Sequence, residues 1–424
     1  MTALLVVAAL LFAYSVVSRR LATTPLTAPM IFVAAGVILG PDGTDTVHGA
    51  IPTEAFRLVL EAALVLVLFT DAASLSGFSR QEDRIPSRLL GFGLPLSIAL
   101  GWLVAKVVFP SMPLWEAALL GAVLAPTDAA LGAAVISNAR VPRLIRDALN
   151  VESGLNDGLA LPFVTIFMAL AAEQLHGGGV NVAEVATKSL VLSPILGVAI
   201  GALGARALRR ATTSGWAADG WAEVAVVAIA FAAYAATVDV GGSGFIGAWV
   251  AGFVAGRVGA RSVRERTRLA EVIGVLLATA GFFGFGVLFV GPELSRFSWS
   301  TVAYALLSVT AVRFMPVVIS LVGSGLRRQT VAYIGWFGPR GLATIVFVLL
   351  AIDEGARTDA FVLAATTTVV LSVYLHGASS VVGSNAYARW FERAVEDDPV
   401  MLEAAVGEER VLRRRVRAPG SDAP

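Results

Sequence analysis

The sequence predicts an all-α polytopic membrane protein of about thirteen transmembrane helices, arranged as two inverted six-helix repeats with discontinuous helices. Three observations predict it. The 424 residues are 57% hydrophobic and only 15% charged, against about 25% charged in a soluble domain. Apolar runs long enough for a bilayer, which takes roughly 20 residues, recur along the chain and lack the short alternation of barrel strands. The arginines fall almost entirely in every second loop.

The first run, Ala3–Val17, has the length of a secretion signal but no basic residue before it. Arg19 and Arg20 follow it, so it reads as a first transmembrane helix. The spans lie at about 3–18, 25–39, 55–72, 89–109, 113–138, 145–172, 184–208, 219–239, 243–258, 269–290, 299–322, 329–351 and 358–384. Their connections are glycine-rich, as at His176–Gly179, or punctuated by proline, as at Pro41–Gly43 and Pro110–Pro113. The loops after odd-numbered spans hold Arg19 and Arg20, then Arg80, Arg84 and Arg88, then Arg140, Arg143 and Arg146. They continue with Arg206, Arg209 and Arg210, then Arg257 to Arg268, then Arg327 and Arg328; the opposite loops hold only Arg296 and Arg357. The positive-inside rule places the odd loops in the cytoplasm. The N-terminus is then outside, the C-terminus cytoplasmic, and the inner (plasma) membrane the expected location. Residues 1–385 are the expected transmembrane domain. Residues 386–424 are the expected cytoplasmic tail, where acidic Glu396–Asp398 precedes basic Arg413–Arg417.

Composition excludes several chemistries. There is no cysteine, hence no disulfide, thiolate metal site or cysteine nucleophile. The net charge of +1 says nothing about a partner, and no nucleic-acid partner is expected. His48, His176 and His376 are scattered, each expected near a helix end at the interface, and no cofactor is expected. Glu61, Glu116, Glu223 and Glu271 are also placed near span ends.

Charges in hydrocarbon cost several kcal/mol and mark function or tight pairing. The fifth span holds Ala125-Pro126-Thr127-Asp128. A mid-span proline removes a backbone hydrogen bond, and the freed carbonyls can be satisfied by a cation in a cavity. The sixth span holds Glu152-Ser153-Gly154-Leu155-Asn156-Asp157. Ser153 and Asp157 share one helix face, and Glu152 and Asn156 the adjacent one. Carboxylate and hydroxyl oxygens suit a hard cation. Desolvation favours the protonated carboxyl, so one group can hold a proton or a cation in turn. The twelfth span holds Gly335-Trp336-Phe337-Gly338-Pro339-Arg340-Gly341, again a broken helix. Arg340 needs a carboxylate partner; Glu152 is preferred because it leaves Asp157 free to titrate, and Asp128 competes. Arg313 in the eleventh span reads as a counter-charge to another buried acid. Asp71 ends the third span. The fifth and twelfth spans occupy equivalent places in the two repeats, which is the sequence pointer to a transporter's site.

With these motifs the chain resembles the NhaP-type sodium/proton antiporters, relatives of the eukaryotic sodium/proton exchangers. The resemblance runs over about residues 1–385 and rests on Thr127-Asp128, Glu152-Ser153-Gly154-Leu155-Asn156-Asp157 and Gly338-Pro339-Arg340-Gly341. It implies a moving core of spans 4–6 and 11–13, and a homodimer through spans 1–3 and 8–10. It implies that Asp157 carries the proton or the cation. Sodium or another monovalent cation would be ligated by Asp157, Asp128, Ser153 and the Thr127 carbonyl, with Asp71 contributing from across the cleft. Glu152 and Arg340 would form an ion pair that holds Asn156. The chain departs from the pattern in Gly154, where many relatives have a larger apolar residue, and in the spacing around Arg313-Phe314-Met315-Pro316.

The expected function is therefore electroneutral exchange of a proton for a monovalent cation, sodium or lithium, by alternating access, and not enzyme catalysis. A potassium/proton antiporter is the nearest alternative. An intramembrane aspartyl enzyme using Asp128 and Asp157, or a non-transporting sensor, are the readings from other classes.

Overall fold

The computed structural model describes residues 2–47, 52–75, 84–128, 131–177, 179 and 181–404. His48, Arg80 and the basic stretch Arg413–Arg417 lie outside the described residues. Among the described residues the chain is helical, with no strand. Of the helices among the described residues, seven are long and apolar enough to cross a membrane, and four more apolar helices are shorter.

Each expected span coincides with a helix or an interrupted helix. They are α1 (Thr2–Leu21), α2 (Ala28–Leu39), α3 (Thr53–Ser74), α4 (Arg84–Val108), α5a (Leu114–Val123) and α5b (Ala133–Ser137). Then come α6 (Arg143–His176), α7 (Val182–Thr213), α8 (Asp219–Asp239), α9 (Gly244–Val258), α10 (Arg268–Arg296) and α11 (Trp299–Ser320). The last are α12a (Arg328–Trp336), α12b (Leu342–Asp353) and α13 (Asp359–Asp397).

Three of these helices solve the same problem in the same way. Pro95, Pro194 and Pro292 lack an N–H, and each would clash with the carbonyl one turn back. In each case a π-helical turn precedes the proline: Leu89–Gly93, Lys188–Leu192 and Gly286–Val290. The N–H groups of Leu94, Ser193 and Gly291 reach back five residues, to Leu89, Lys188 and Gly286. The wider turn absorbs the ring without ending the helix.

Two groups of helices pack most densely within themselves. One contains α2, α3, α7, α8, α9 and α10; the other contains α4, α5, α6, α11, α12 and α13. In the first, α9 lies directly on the α3 backbone. A Cβ on Gly252 or Gly256 would come within 2.2 Å of the carbonyl oxygens of Phe69 and Ala73, so only glycine permits that approach. The second group carries both interrupted helices. The expected tail boundary at residue 385 falls inside α13, which runs on to Asp397. There Arg140 and Glu392 pair at 2.8 Å, and the hydrogen bond and charge of Arg140 hold the Glu392 carboxyl below its usual range.

Two expectations at span ends are corrected. His376 sits in the middle of α13 and is 1% exposed, with Nδ1 on Ser372; His176 does end α6, at Gly355 O. Glu61 is buried and accepts from Arg57 at 2.5 Å and from the Tyr234 hydroxyl at 2.9 Å. Glu116 does lie at a span end, in the first turn of α5a, and is buried there, accepting the backbone N–H of Thr358. In each case a protein partner takes the place of water.

Candidate functional site

The two interrupted helices cross at their breaks. α5a stops at Val123 and the chain runs non-helically through Asp128; α12a stops at Trp336 and α12b starts at Leu342. Pro126 and Pro339 stand in these breaks. The two non-helical segments are tied to each other by the Asp128 N–H donating to Pro339 O at 2.7 Å.

The crossing also places opposite charges at opposite helix ends. The N-terminus of α12b carries unpaired N–H groups and a partial positive charge. Asp128 Oδ2 accepts from Leu342 N there, at 2.9 Å. The C-terminal end of α5a presents unpaired carbonyls. Arg340 Nη1 donates to Ala125 O at 2.8 Å and Pro126 O at 3.0 Å, and Thr344 Oγ1 donates to Val123 O at 2.9 Å. The Arg340 N–H donates to Ser372 Oγ at 2.6 Å. Each break is thus satisfied by a side chain from the other.

Gly341 is required by this contact. A Cβ there would sit 2.0 Å from Asp128 Oδ2. Gly341→Ala is expected to push the Asp128 carboxylate off the α12b N-terminus. Loss of the cap should cost about 1–2 kcal/mol and disturb the crossing, so a lowered unfolding temperature in detergent should accompany strongly reduced transport. An unchanged unfolding temperature would contradict the assigned contact.

α6 supplies the opposite wall. Ser153 Oγ donates to Thr127 O at 2.5 Å, and Asn156 Nδ2 donates to Thr127 Oγ1 at 2.6 Å. Asp157, one residue on, is 8% exposed, and its Oδ1 is buried with no hydrogen-bond partner. A buried polar atom left unpartnered is uncommon and needs a reason. Asp71, Asp128, Ser153 and Asp157 all line one cavity of about 660 Å³. Its walls run from these residues to Leu21, Ala22 and Leu26 beside Arg19 and Arg20, and along Val272, Val275 and Leu276 of α10. Toward the other side of the protein, Phe56, Leu60, Leu64, Phe283 and Phe347 are buried in the apolar core. Beyond them Arg57 of α3 pairs with Asp353 at the end of α12b, at 2.8 Å. The cavity therefore reaches the arginine-rich end and is packed shut at the opposite end.

The expected Glu152–Arg340 pair is corrected. Glu152 is held by Arg313, Nη1 to Oε1 at 2.5 Å and Nη2 to Oε2 at 2.9 Å, with both side chains nearly fully buried. The reason is helix placement: α11 lays Arg313 alongside Gly338, where a Cβ would come within 2.3 Å of its Nε. The planar guanidinium then meets the carboxylate two-on-two. Arg340 is instead used by the carbonyls of the break, and Asn156 by Thr127. Arg313 is a counter-charge to a buried acid, as its position in an apolar span suggested.

The structure brings Thr127, Asp128, Ser153, Asn156, Asp157 and Arg340 together at the crossing, and Asp71 onto the shared cavity wall. Two expected cation ligands, Thr127 O and Ser153 Oγ, are bonded to each other. Among the described residues, no group of three or more His, Cys, Asp or Glu side chains converges as a metal site. Sequence reasoning missed Ser372, Thr344 and the Arg57–Asp353 tie. Ser372 had a signal, since it and His376 are one turn apart in an apolar span.

Residues 6–382 match the family profile described as sodium/hydrogen exchanger, transmembrane. The K(+)/H(+) antiporter NhaP of Alkalimonas amylolytica is 24% identical over 92% of this chain and 67% of its own length. The K(+)/H(+) antiporter NhaP2 of Shewanella sp. (strain ANA-3) is 25% identical over 88% of this chain and 65% of its own. The chain thus spans about two thirds of the length of these curated relatives. Na(+)/H(+) antiporter 2 of Zygosaccharomyces rouxii is 28% identical over 58% of this chain and 32% of its own length. The structure of the sodium proton antiporter MjNhaP1 from Methanocaldococcus jannaschii at pH 8 superposes with a TM-score of 0.73. It is 16% identical and covers 92% of this chain and 100% of that one, a likeness of fold.

Proposed function

We propose, for a chain that belongs to the transmembrane sodium/hydrogen exchanger family, that it exchanges one proton for one monovalent cation, with Asp157 serving both ions in turn. One observation carries the reading. Asp157 is a buried carboxylate with an unpartnered Oδ1, beside a helix crossing and on the wall of a cavity that reaches one face of the protein.

The chemistry follows from competition. A charged carboxylate in a dry site is costly, so it holds either a proton or a cation. The cation would be completed by Asp128, Ser153 and the Thr127 carbonyl, once the Ser153 hydroxyl turns away from Thr127 O. Asp71 would contribute from the α3 side. Asn156 cannot ionise, so each cycle moves one charge in each direction and no net charge. Arg340 and Asp128 fix the breaks. Glu152 and Arg313 fix α6 against α11. The core of α4–α6 and α11–α13 then moves against the other helices to expose Asp157 to the other side, as binding shifts the balance between two states.

The positive-inside rule places the arginine-rich face in the cytoplasm of a plasma membrane, so the cavity would be open inward. Residues beyond about 385 would form a cytoplasmic tail, and a homodimer is the expected assembly. Sodium or lithium is the expected cation. Potassium has support of its own from the relatives named K(+)/H(+) antiporters. An aspartyl enzyme finds none, since Asp128 Oδ2 is bound to the start of α12b.

The test is dequenching of a pH dye in acid-loaded proteoliposomes on addition of sodium, lithium or potassium. Dequenching with at least one cation is expected, and its rate should not change when a membrane potential of either sign is imposed. No response to any of the three would sink the antiport reading. A voltage-dependent rate would sink the one-for-one stoichiometry.

A further inference from the structure

Gly154 of α6 lies beside Ser153 near the crossing, has no side chain, and faces α3. A Cβ on Gly154 would lie 3.1 Å from Asp71 Cβ, 3.3 Å from Asp71 Cγ and 3.4 Å from Asp71 Oδ2. The α6 backbone and the Asp71 side chain therefore meet with nothing between them. A methyl group would be tight, and a branched side chain would occupy the volume the carboxylate fills.

The helix of Asp71 is held closely on its α9 side. The α3 backbone is held two residues before and two residues after it, where Gly252 and Gly256 of α9 pack against Phe69 and Ala73. Displacement then falls on the Asp71 side chain or on the spacing of α6 from α3, and either moves the carboxylate away from Asp157. That side chain lines the same cavity as Asp157 and Ser153, and Gly154 lies between those two residues in sequence. Asp71 comes from one helix group and Asp157 from the other.

We infer that in this chain Gly154 is a positioning residue for cation binding: it seats the Asp71 carboxylate against α6, within the cavity that Asp157 lines, and a large side chain there moves Asp71 away from Asp157. The inference rests on the antiport reading and extends it to a residue without a side chain. A second carboxylate beside a bound monovalent cation contributes on the order of tenfold to its binding.

The experiment compares wild type, Gly154→Leu, Asp71→Asn and the double variant in proteoliposomes, after each has eluted as a single species in detergent. Gly154→Leu and Asp71→Asn are each expected to raise the cation KM on the order of tenfold, with kcat within about threefold. The double variant should be no worse than either, because both remove the same group. An unchanged KM in Gly154→Leu, or single effects that multiply, would overturn the inference. Since the chain has no cysteine, the contact can also be tested without transport and without a leucine at 154. The two Cβ atoms of D71C/G154C need part by only a few tenths of an ångström to reach disulfide range, so the pair should close a disulfide under mild oxidation and lose maleimide labelling at both positions. Retained labelling would overturn the contact. Wild-type vesicles that exchange no cation would count against the proposed function instead, and the disulfide result would stand apart from it.

Discussion

Asp157→Asn is expected to bring cation-driven proton movement down to the level of empty vesicles while the protein still folds. The substitution keeps the shape of the side chain and removes the one property the exchange needs, a group that is anionic in one half-cycle and neutral in the other. It also removes a charge that the structure leaves poorly compensated, since Asp157 Oδ1 has no hydrogen-bond partner. Removing such a charge from a buried site does not destabilise a helix bundle and can stabilise it. The variant should therefore elute as wild type does and unfold at an equal or higher temperature. Loss of activity together with loss of folded protein would assign Asp157 a structural role. Retained exchange would move the chemistry to Asp128 or Asp71.

The second large effect is expected at Arg313. Its bidentate pair with Glu152 is nearly fully buried, and removing one member of a buried pair costs about 3–5 kcal/mol. That is a large share of a marginal stability of about 5–15 kcal/mol. Arg313→Ala leaves the Glu152 carboxylate uncompensated on the helix that carries Asp157. Loss of the monodisperse peak after mild heating is the expected readout. Replacing both partners, as in Glu152→Met with Arg313→Met, should recover much of the loss, because no buried charge is then left alone. A double variant as unstable as Arg313→Ala would contradict this account.

These two residues also show how much the sequence makes legible. The interruptions at Pro126 and Pro339 are readable because proline, glycine and charge stand together in otherwise apolar runs. The depth of Asp157 is readable because nothing near it in sequence leads to water. The partner of Glu152 is not readable. Arg313 and Arg340 both sit in late spans beside a proline, and the choice depends on which helix lies against α6. Nor is the use of Arg340 by the carbonyls of Ala125 and Pro126, which exist as acceptors only once α5a stops at Val123. His376 failed for a related reason: a histidine reads as interfacial unless its partners are known, and Ser372 supplies one from within the helix. Gly154 was visible as a departure from the family pattern, but its meaning required α3 to place Asp71 against it.

The central claim is that a proton and a cation compete for the Asp157 carboxylate. The most direct measurement is proton release from purified protein in a weakly buffered detergent solution when sodium, lithium or potassium is added. The account predicts one proton released for each cation bound, and none from Asp157→Asn. Cation binding without proton release, or equal release from Asp157→Asn, would contradict it.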